Sequence, residues 1–282
     1  MIDKKDKFLI VGLGLMGGSY AEKLTQSSYQ VYAIDISKES IEIGKRRKII
    51  KNKDESNEEL IKNSDYIILA LPPSLCYGWV KNHQYLFKNQ AILTDMMGVK
   101  SHIVEDIQAI LNNQELISMH PMTGKELSGV NYASSNIFNS SNMLIVPTIK
   151  NSKRSIDFAY QLAKILEVKN VKEVSVEEHD RVVGYVSHLS HVIAVTLMNA
   201  YDSKSIKDYA GTSFKDITRI ANINEEIWTE LFLENKNQLV PLINQFSNQL
   251  EKLKEAINNE DKDQIKLILK ESKEKRQAFN KE

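Results

Sequence analysis

The sequence predicts an α/β fold over its first part and an all-helical fold over its last part. Short runs of Ile, Leu and Val alternate with helical stretches as far as about residue 174, which is typical of parallel strands joined by helices. Glycine and proline then become scarce, and apolar residues recur at helical spacing from Val182 to Leu197. We therefore expect two domains, over residues 1–174 and 175–282.

The alternation can be followed element by element. Six apolar runs are predicted to be buried strands: Phe8–Val11, Gln30–Ile34, Tyr66–Leu71, Ala91–Thr94, Leu116–Met119 and Met143–Val146. Met16 to about Gln26 is predicted to be a helix between the first two strands. The end of the chain, from Leu239 to Phe279, is predicted to be a long amphipathic helical region. Its apolar stripe fits either a solvated helix pair or a contact with a second subunit.

Composition excludes several classes of protein. The 282 residues contain 37 Lys and Arg and 37 Asp and Glu, so no net charge attracts nucleic acid or an anionic membrane. Cys76 is the only cysteine, which excludes an intrachain disulfide and indicates a reducing compartment. The apolar run near the N-terminus is far shorter than the roughly 18 residues of a membrane span. We therefore expect a cytoplasmic protein.

A glycine-rich turn lies between the first strand and the helix that follows. It consists of Gly12, Leu13, Gly14, Leu15, Met16 and Gly17. In such a turn the first glycine permits a tight bend, the second lets the backbone approach a pyrophosphate, and the third lets the helix pack closely on the strand. The free amides at the helix start attract phosphates. The pattern predicts a Rossmann-type dinucleotide-binding domain.

An acidic residue at the end of the second strand strengthens this prediction. Asp35 follows Gly17 by eighteen residues, a spacing that suits a carboxylate bound to the ribose hydroxyls of the cofactor. Its charge favours NAD over NADP, although Lys38 nearby could weaken that preference. Because ligands bind at the carboxyl ends of the strands, we also expect Pro72 and Asp95 near the cofactor. For Pro72, simple turn chemistry is an equal alternative.

His120 is the candidate for a general base. Of the six histidines, His83 and His102 lie in polar, surface-like stretches and are taken as bystanders. His120 follows the apolar run Leu116–Met119, which places an imidazole at a strand end facing the ligand crevice. A neutral histidine there can take a proton from a substrate hydroxyl. The alternative is a histidine that only caps a turn.

Two further stretches carry candidate polar residues. His188 and His191 are spaced to share one helix face, but no third ligand suggests a metal, so a structural or site-rim role is expected. Arg219 offers a planar fork that matches a carboxylate. Its alternative is a surface arginine paired with Asp216 or Glu225.

The order of these motifs resembles the prephenate/arogenate dehydrogenase family. The matching segments are GLGLMGGS, HPMTGKELSGV, SHLSH, GTSFKDITRIA and WTELFLENK, and they extend from about Phe8 to the C-terminal helices. The resemblance implies NAD-dependent oxidative decarboxylation of prephenate, or of its amino analogue arogenate, on the route to tyrosine. It also implies a homodimer formed by the helical domain and an active site between the two domains.

The resemblance implies roles for individual residues. His120 matches the histidine that hydrogen-bonds the ring C4 hydroxyl, and Arg219 matches the arginine that binds a substrate carboxylate. Glu126 matches an acidic residue near the site entrance. The positions that shape or support the pocket are matched by His188, His191 and Asp180.

One stretch departs from the family pattern. Family members often have Asp-x-Gly-Ser-Val-Lys after the fourth strand, with the serine hydroxyl on the substrate. Here the stretch from Asp95 to Lys100 is DMMGVK, and Gly98 stands where the serine would be. A water molecule or Thr123 are candidate substitutes.

Two other interpretations are weighed against this one. Hydroxyacid dehydrogenases related to 6-phosphogluconate dehydrogenase also begin with GLGxMG, but their catalytic lysine in a Gly-x-x-x-Lys setting has no good match. Lys215 has that spacing from Gly211, yet it lies within the Arg219 motif. An NAD-binding regulator without chemistry is favoured only by Gly98. The sequence leaves the choice between prephenate and arogenate open.

Overall fold

The computed structural model describes residues 2–125, 127–201 and 205–279. It divides the chain into two compact units, Met1–Asn235 and Lys236–Glu282. The first unit contains elements from both sides of residue 174, and the helix after that residue is hydrogen-bonded to Lys100, Ser101 and His120. The domain boundary at residue 174 therefore stays a prediction.

A parallel sheet forms the centre of the first unit. Its strands are β1 (Lys7–Val11), β2 (Gln30–Ile34), β3 (Tyr66–Leu69), β4 (Ile92–Asp95) and β5 (Glu115–Leu116), in the spatial order β2-β1-β3-β4-β5. Alternate residues of β1 enter two different apolar clusters, Phe8 and Ile10 on one face and Leu9 and Val11 on the other. The sheet is thus covered on both faces, and the predicted α/β class is confirmed.

Helices connect these strands. They are α1 (Leu15–Gln26), α2 (Lys38–Arg46), α3 (Asn57–Asn63), α4 (Pro73–His83) and α5 (Ile103–Ile110), with a 3-10 turn at Gln84–Leu86. Ser56 and Glu59 form a reciprocal capping box that starts α3. In contrast, the N-cap residue of α1 is Gly14, which has no side chain to cap the helix, so the first amides stay available.

A second, three-stranded sheet corrects one prediction. It contains β6 (Ser118–Pro121), β7 (Asn142–Val146) and β8 (Asn170–Glu173); β6 and β7 are antiparallel, and β7 and β8 are parallel. The predicted single strand Leu116–Met119 is therefore wrong, because it is divided between β5 and β6. Both halves are buried, so an unbroken apolar run does not reveal the change of sheet. The polar β8 was not predicted.

Two 3-10 turns, Val130–Tyr132 and Ser135–Phe138, lie between β6 and β7, and α6 (Lys153–Leu166) joins β7 to β8. The first unit is helical after β8. After β8 the elements are α7 (Val176–Val183), a π turn (Gly184–His188), α8 (Leu189–Asn199), α9 (Ile206–Tyr209), α10 (Thr212–Thr218), a 3-10 turn (Arg219–Ala221) and α11 (Glu225–Glu234).

The helical stretch Val176–Asn199 has a mean hydropathy of 1.3 over its most apolar window, so by length and composition alone it could cross a membrane. The core helix of a soluble protein passes the same test, and here the stretch carries the buried polar residues His179, Asp180 and His188.

The second unit consists of α12 (Lys236–Asn258) and α13 (Lys262–Phe279), which pack against each other. The helical region predicted from Leu239 to Phe279 is thus confirmed as two helices. Pro241 lies in the second turn of α12, where its missing amide removes one helical hydrogen bond.

Candidate active site

The glycine turn has the close contacts that the motif predicts. Gly12 has φ of +93°, and a Cβ there would lie 2.4 Å from the carbonyl oxygen of Ala70. A Cβ on Gly17 would lie 2.0 Å from the carbonyl oxygen of Gly12. Beside Gly14, in contrast, a Cβ would meet no atom within 4 Å. The turn is therefore tightly packed at Gly12 and Gly17 and open at Gly14, where a pyrophosphate would approach the backbone.

Asp35 is held beside this turn. Its Oδ2 accepts a hydrogen bond from the amide of Leu13 at 2.6 Å, and its Oδ1 accepts one from the amide of Ser37 at 2.7 Å. The carboxylate stays partly exposed, so its remaining acceptor positions can meet a ligand. The open side of Gly14, the uncapped start of α1 and this carboxylate together fit a dinucleotide.

Pro72 lies where the third strand has already ended. β3 stops at Leu69, two residues earlier than predicted, and Pro72 is the residue before α4. The amide of Ser74, in the first turn of α4, donates a hydrogen bond to Glu230 of α11, and its hydroxyl donates to the same carboxylate at 3.1 Å. A carboxylate from the helical part therefore caps α4. A cofactor contact of Pro72 stays a prediction.

His120 is the first member of a buried hydrogen-bonded series. It lies within β6 and pairs with Leu144 of β7, and it keeps partial solvent exposure. Its Nδ1 is 2.9 Å from Nε2 of His179 on α7. The Nδ1 of His179 is in turn 2.7 Å from Oδ1 of Asp180. The candidate base is thus linked through a second histidine to a carboxylate.

Asp180 is surrounded by hydrogen-bond donors. Besides His179, the backbone amides of Lys100 and Ser101 donate to it at 2.9 and 2.8 Å, and the Ser101 hydroxyl donates to Oδ2. Burial alone would raise the pKa of Asp180, but the hydrogen bonds from His179 and Ser101 outweigh it and the pKa is lowered. Asp180 is therefore an ionised carboxylate inside the protein.

A fully buried ion pair lies beneath His120. Neither Lys100 nor Asp95 has any exposed side-chain surface, and Nζ of Lys100 donates to Oδ1 of Asp95. The same Nζ donates to the carbonyl oxygen of Met119 at 2.8 Å. Lys100 thus joins the last residue of β4 to the residue before His120. Asp95 was expected near the cofactor, and the structure pairs it with Lys100.

The electrostatic surroundings keep the two linked histidines neutral. Burial lowers the pKa of His120 well below 6.5, and the nearby His179, Lys100 and His188 lower it further. Burial also lowers the pKa of His179, although the hydrogen bond to Asp180 opposes this effect. Near neutral pH His120 is therefore an unprotonated imidazole, the form that accepts a proton.

His188 and His191 share one aromatic neighbour. The ring centroid of His191 lies 3.6 Å from that of Trp228, and His188 meets the same ring edge-on at 5.9 Å. The amide nitrogen of Asn235 lies 3.1 Å from Nδ1 of His188. Burial lowers the pKa of His188 to about 4. Among the described residues, no group of three His, Cys, Asp or Glu is arranged to hold a metal ion.

The remaining predicted site residues are Thr123, Arg219 and Glu126. The hydroxyl of Thr123 donates to the carbonyl oxygen of Ile137 at 3.0 Å, so its hydrogen is used within its own loop. Arg219 is exposed and begins the 3-10 turn that packs against α8, the helix of His191. Glu126 lies outside the described residues. Substrate contacts of these side chains stay predictions.

Gly98 has an apolar neighbour. A Cβ at this position would lie 3.1 Å from Cδ2 of Leu231 on α11, closer than most real Cβ contacts. The side chain of Leu231 therefore occupies the space into which a side chain at position 98 would extend. The departure from the family motif and the leucine opposite it fit each other.

Sequence reasoning missed several members of the site. His179 received no role, although its position next to Asp180 was a usable signal. Lys100 and Asn235 were also missed, because nothing local marks a lysine or an asparagine as buried. Trp228 is the first residue of the WTELFLENK motif, but no role was predicted for its side chain.

Comparison with known proteins identifies the family of this chain. The family model for the nucleotide-binding domain of prephenate dehydrogenase matches residues 20–172, and the model for its dimerization domain matches residues 175–271. The chain belongs to the prephenate dehydrogenase family. It is therefore an oxidoreductase, and the family match decides against the 6-phosphogluconate dehydrogenase-like interpretation.

Similar proteins cover nearly the whole chain. Prephenate dehydrogenase of Lactococcus lactis is 30% identical over 285 residues, which is 97% of this chain and 77% of the relative. Cyclohexadienyl dehydrogenase of Zymomonas mobilis is 26% identical and covers 96% and 94% of the two chains. The solved prephenate dehydrogenase of Aquifex aeolicus, in complex with hydroxyphenyl propionate and NAD+, is 32% identical with a TM-score of 0.89 over 98% of both chains.

A more distant structure shares the fold. Synechocystis arogenate dehydrogenase is 22% identical, with a TM-score of 0.81 over 97% of this chain and 99% of that one. At this identity the likeness concerns the fold alone.

Proposed function

We propose that this protein catalyses the NAD-dependent oxidative decarboxylation of prephenate to 4-hydroxyphenylpyruvate in tyrosine biosynthesis. The observation that carries the proposal is a neutral His120 whose Nδ1 is held by His179, next to the carboxyl end of β4. That edge is where ligands bind in open α/β sheets. Membership of the prephenate dehydrogenase family supports the same reaction.

The residues fit NAD as the cofactor. The backbone from Gly12 to Gly17, including Leu13, Leu15 and Met16, and the uncapped amides of α1 would bind the pyrophosphate. Asp35 would accept hydrogen bonds from the ribose hydroxyls, and its charge would disfavour a 2′-phosphate. Pro72 would border the nicotinamide end. When bound, NAD accepts the hydride that leaves ring C4, and loss of CO2 then gives the aromatic ring.

His120 performs the proton transfer in this proposal. Its Nδ1 faces His179, so Nε2 is the nitrogen available to the substrate. Nε2 accepts a hydrogen bond from the C4 hydroxyl and takes its proton as the C4 oxygen becomes a carbonyl. Because Gly98 supplies no hydroxyl, His120 is the main contact that orients this group. Substrate binding is assigned to a larger set: Arg219, Glu126, His188, His191 and Thr123.

Arg219 holds a substrate carboxylate in this proposal. Its guanidinium can form two parallel hydrogen bonds to a carboxylate, and its turn packs against the helix that carries His191. Fixing the dianion against the cofactor in this way lowers the entropic part of the barrier.

The chain is proposed to act as a homodimer with domains over residues 1–174 and 175–282. The match of residues 175–271 to a dimerization domain supports this arrangement. Large apolar side chains are also exposed on the helical part, among them Tyr185, Val186, Leu250 and Ile257. A cytoplasmic location remains part of the proposal.

Arogenate is the second candidate substrate. The name of the Zymomonas mobilis relative, cyclohexadienyl dehydrogenase, describes a class of substrate that includes both compounds. Prephenate and arogenate differ only in a keto or amino group on the side chain, away from the C4 hydroxyl that His120 would contact.

The test is NADH formation by the purified protein with NAD and either prephenate or arogenate. Turnover of prephenate at the higher kcat/KM supports the main proposal, and preference for arogenate supports the second. Binding of NAD without turnover of either substrate would favour a non-enzymatic regulator. His120→Asn should keep cofactor binding and lower kcat by about 100- to 10,000-fold. Arg219→Ala should chiefly raise KM.

A further inference from the structure

The hydrogen bonds around His179 fix where its protons lie. Asp180 has about four acceptor positions, and four donors reach it: two backbone amides, one hydroxyl and Nδ1 of His179. An ionised carboxylate can only accept, so Nδ1 of His179 carries a hydrogen. In a neutral imidazole the other nitrogen then has the lone pair. Nε2 of His179 is therefore an acceptor that points at His120.

The direction of the next hydrogen bond follows from the first. Nδ1 of His120 lies 2.9 Å from Nε2 of His179, so His120 must donate from Nδ1. Its own lone pair then lies on Nε2. Without this contact a neutral imidazole can place its hydrogen on either nitrogen, and only one of the two tautomers accepts a proton at Nε2.

We propose that His179, anchored on Asp180, is a positioning residue that fixes the tautomer of His120 and keeps its Nε2 as the base. The inference rests on the proposed function. In the reaction the C4 hydroxyl proton moves to Nε2 of His120, while the Nδ1 hydrogen stays bonded to His179. The resulting imidazolium is separated from the ionised Asp180 carboxylate by one neutral ring, so the new positive charge lies near a negative one.

Charged and titratable groups from several elements surround His120 and His179. His179 and Asp180 come from α7, Lys100 from the segment before α5, and His188 from the π turn. The partner of His120 across the sheet, Leu144, is apolar. His188 has a pKa of about 4 and is neutral when the enzyme works. Lys100 is paired with the buried carboxylate of Asp95. His120 and His179 are thus the pair whose proton distribution matters.

A matched pair of substitutions separates positioning from packing. Glutamine and methionine have similar length and volume, but only glutamine can place an acceptor oxygen near the position of Nε2 of His179. His179→Met should lower kcat by about 10- to 100-fold, part of the usual contribution of a general base, with KM changed less than about threefold. His179→Gln should recover most of this loss. A packing role alone would make the two variants equally active.

Two further measurements complete the test. Nitrogen NMR of histidine-labelled protein without substrate reports which nitrogen of His120 carries the hydrogen: Nδ1 in the wild type and in His179→Gln, and a mixture in His179→Met. Thermal unfolding of both variants monitors folding. Equal kcat in the two variants, or an Nε2 hydrogen on His120 in the wild type, would overturn the proposal. Because the NMR result needs no turnover, it is independent of whether prephenate is the substrate.

Discussion

Replacing Lys100 with methionine tests whether the buried ion pair holds the site together. Methionine keeps the length of the side chain and removes the charge. The side chains of Lys100 and Asp95 have 0% exposure, so the substitution leaves a buried carboxylate without its cation. The carbonyl oxygen of Met119, directly before His120, loses its donor as well. Both stability and the position of the base should therefore be affected.

The expected loss of stability in Lys100→Met follows from the burial of the ion pair. Breaking a buried ion pair by removing one partner costs about 3–5 kcal/mol, because the remaining charge is uncompensated. At roughly 2–4 °C per kcal/mol for a domain of this size, Tm should fall by about 6–20 °C. Lys88→Met is the matched control. Its pair with Asp65 is 38% and 33% exposed, and a pair exposed to that extent contributes only about 0–1 kcal/mol.

The assay is urea unfolding together with scanning calorimetry on Lys100→Met, Lys88→Met and Asp95→Asn, and on the double variant of Lys100→Met with Asp95→Asn. The double variant removes both charges, so it should be more stable than the sum of the two single losses predicts. A loss below about 1 kcal/mol in Lys100→Met, equal to that in Lys88→Met, would refute the reasoning. Strict additivity in the double variant would also refute it.

Three further outcomes can be checked with activity and binding assays. Asp35→Asn should narrow the preference for NAD over NADP, measured as the ratio of the two kcat/KM values, because the charge that repels a 2′-phosphate is gone while an acceptor oxygen remains. Gly17→Ala should abolish NAD binding in calorimetric titration, since the new Cβ would lie 2.0 Å from the carbonyl oxygen of Gly12. The plateau of kcat/KM should extend to below pH 6.5, because the pKa of His120 is lowered. The neutral base is lost only when the pH falls through this lowered pKa.

Much of the nucleotide-binding part was predictable from the sequence because its signals are local. The spacing of Gly12, Gly14 and Gly17 and the position of Asp35 depend on a few neighbouring residues and one short strand. The apolar runs of the central sheet are likewise visible because strands buried on both faces are apolar throughout. These features need no knowledge of distant contacts.

The inner part of the site was not predictable in the same way. His179 acquires its role only because α7 brings it to within 2.9 Å of His120, which is 59 residues earlier in the chain. Lys100 is buried only because Asp95 and the Met119 carbonyl converge on it. Residue type gives the opposite expectation, since lysine is almost never fully buried without a partner. The change of sheet at Ile117 is hidden for a related reason, because both neighbouring strands are buried.

Substrate entry is constrained by the hydrogen bonds that cross residue 174. A hinge opening there would separate Asp180 from Lys100 and Ser101, and His179 from His120. With about 1.5–3 kcal/mol for each hydrogen bond to a charged group, three such bonds to the carboxylate alone make the open form less than about one molecule in a thousand. We therefore expect ligands to enter and leave by local displacement of loops and side chains, with His179 and His120 remaining in contact.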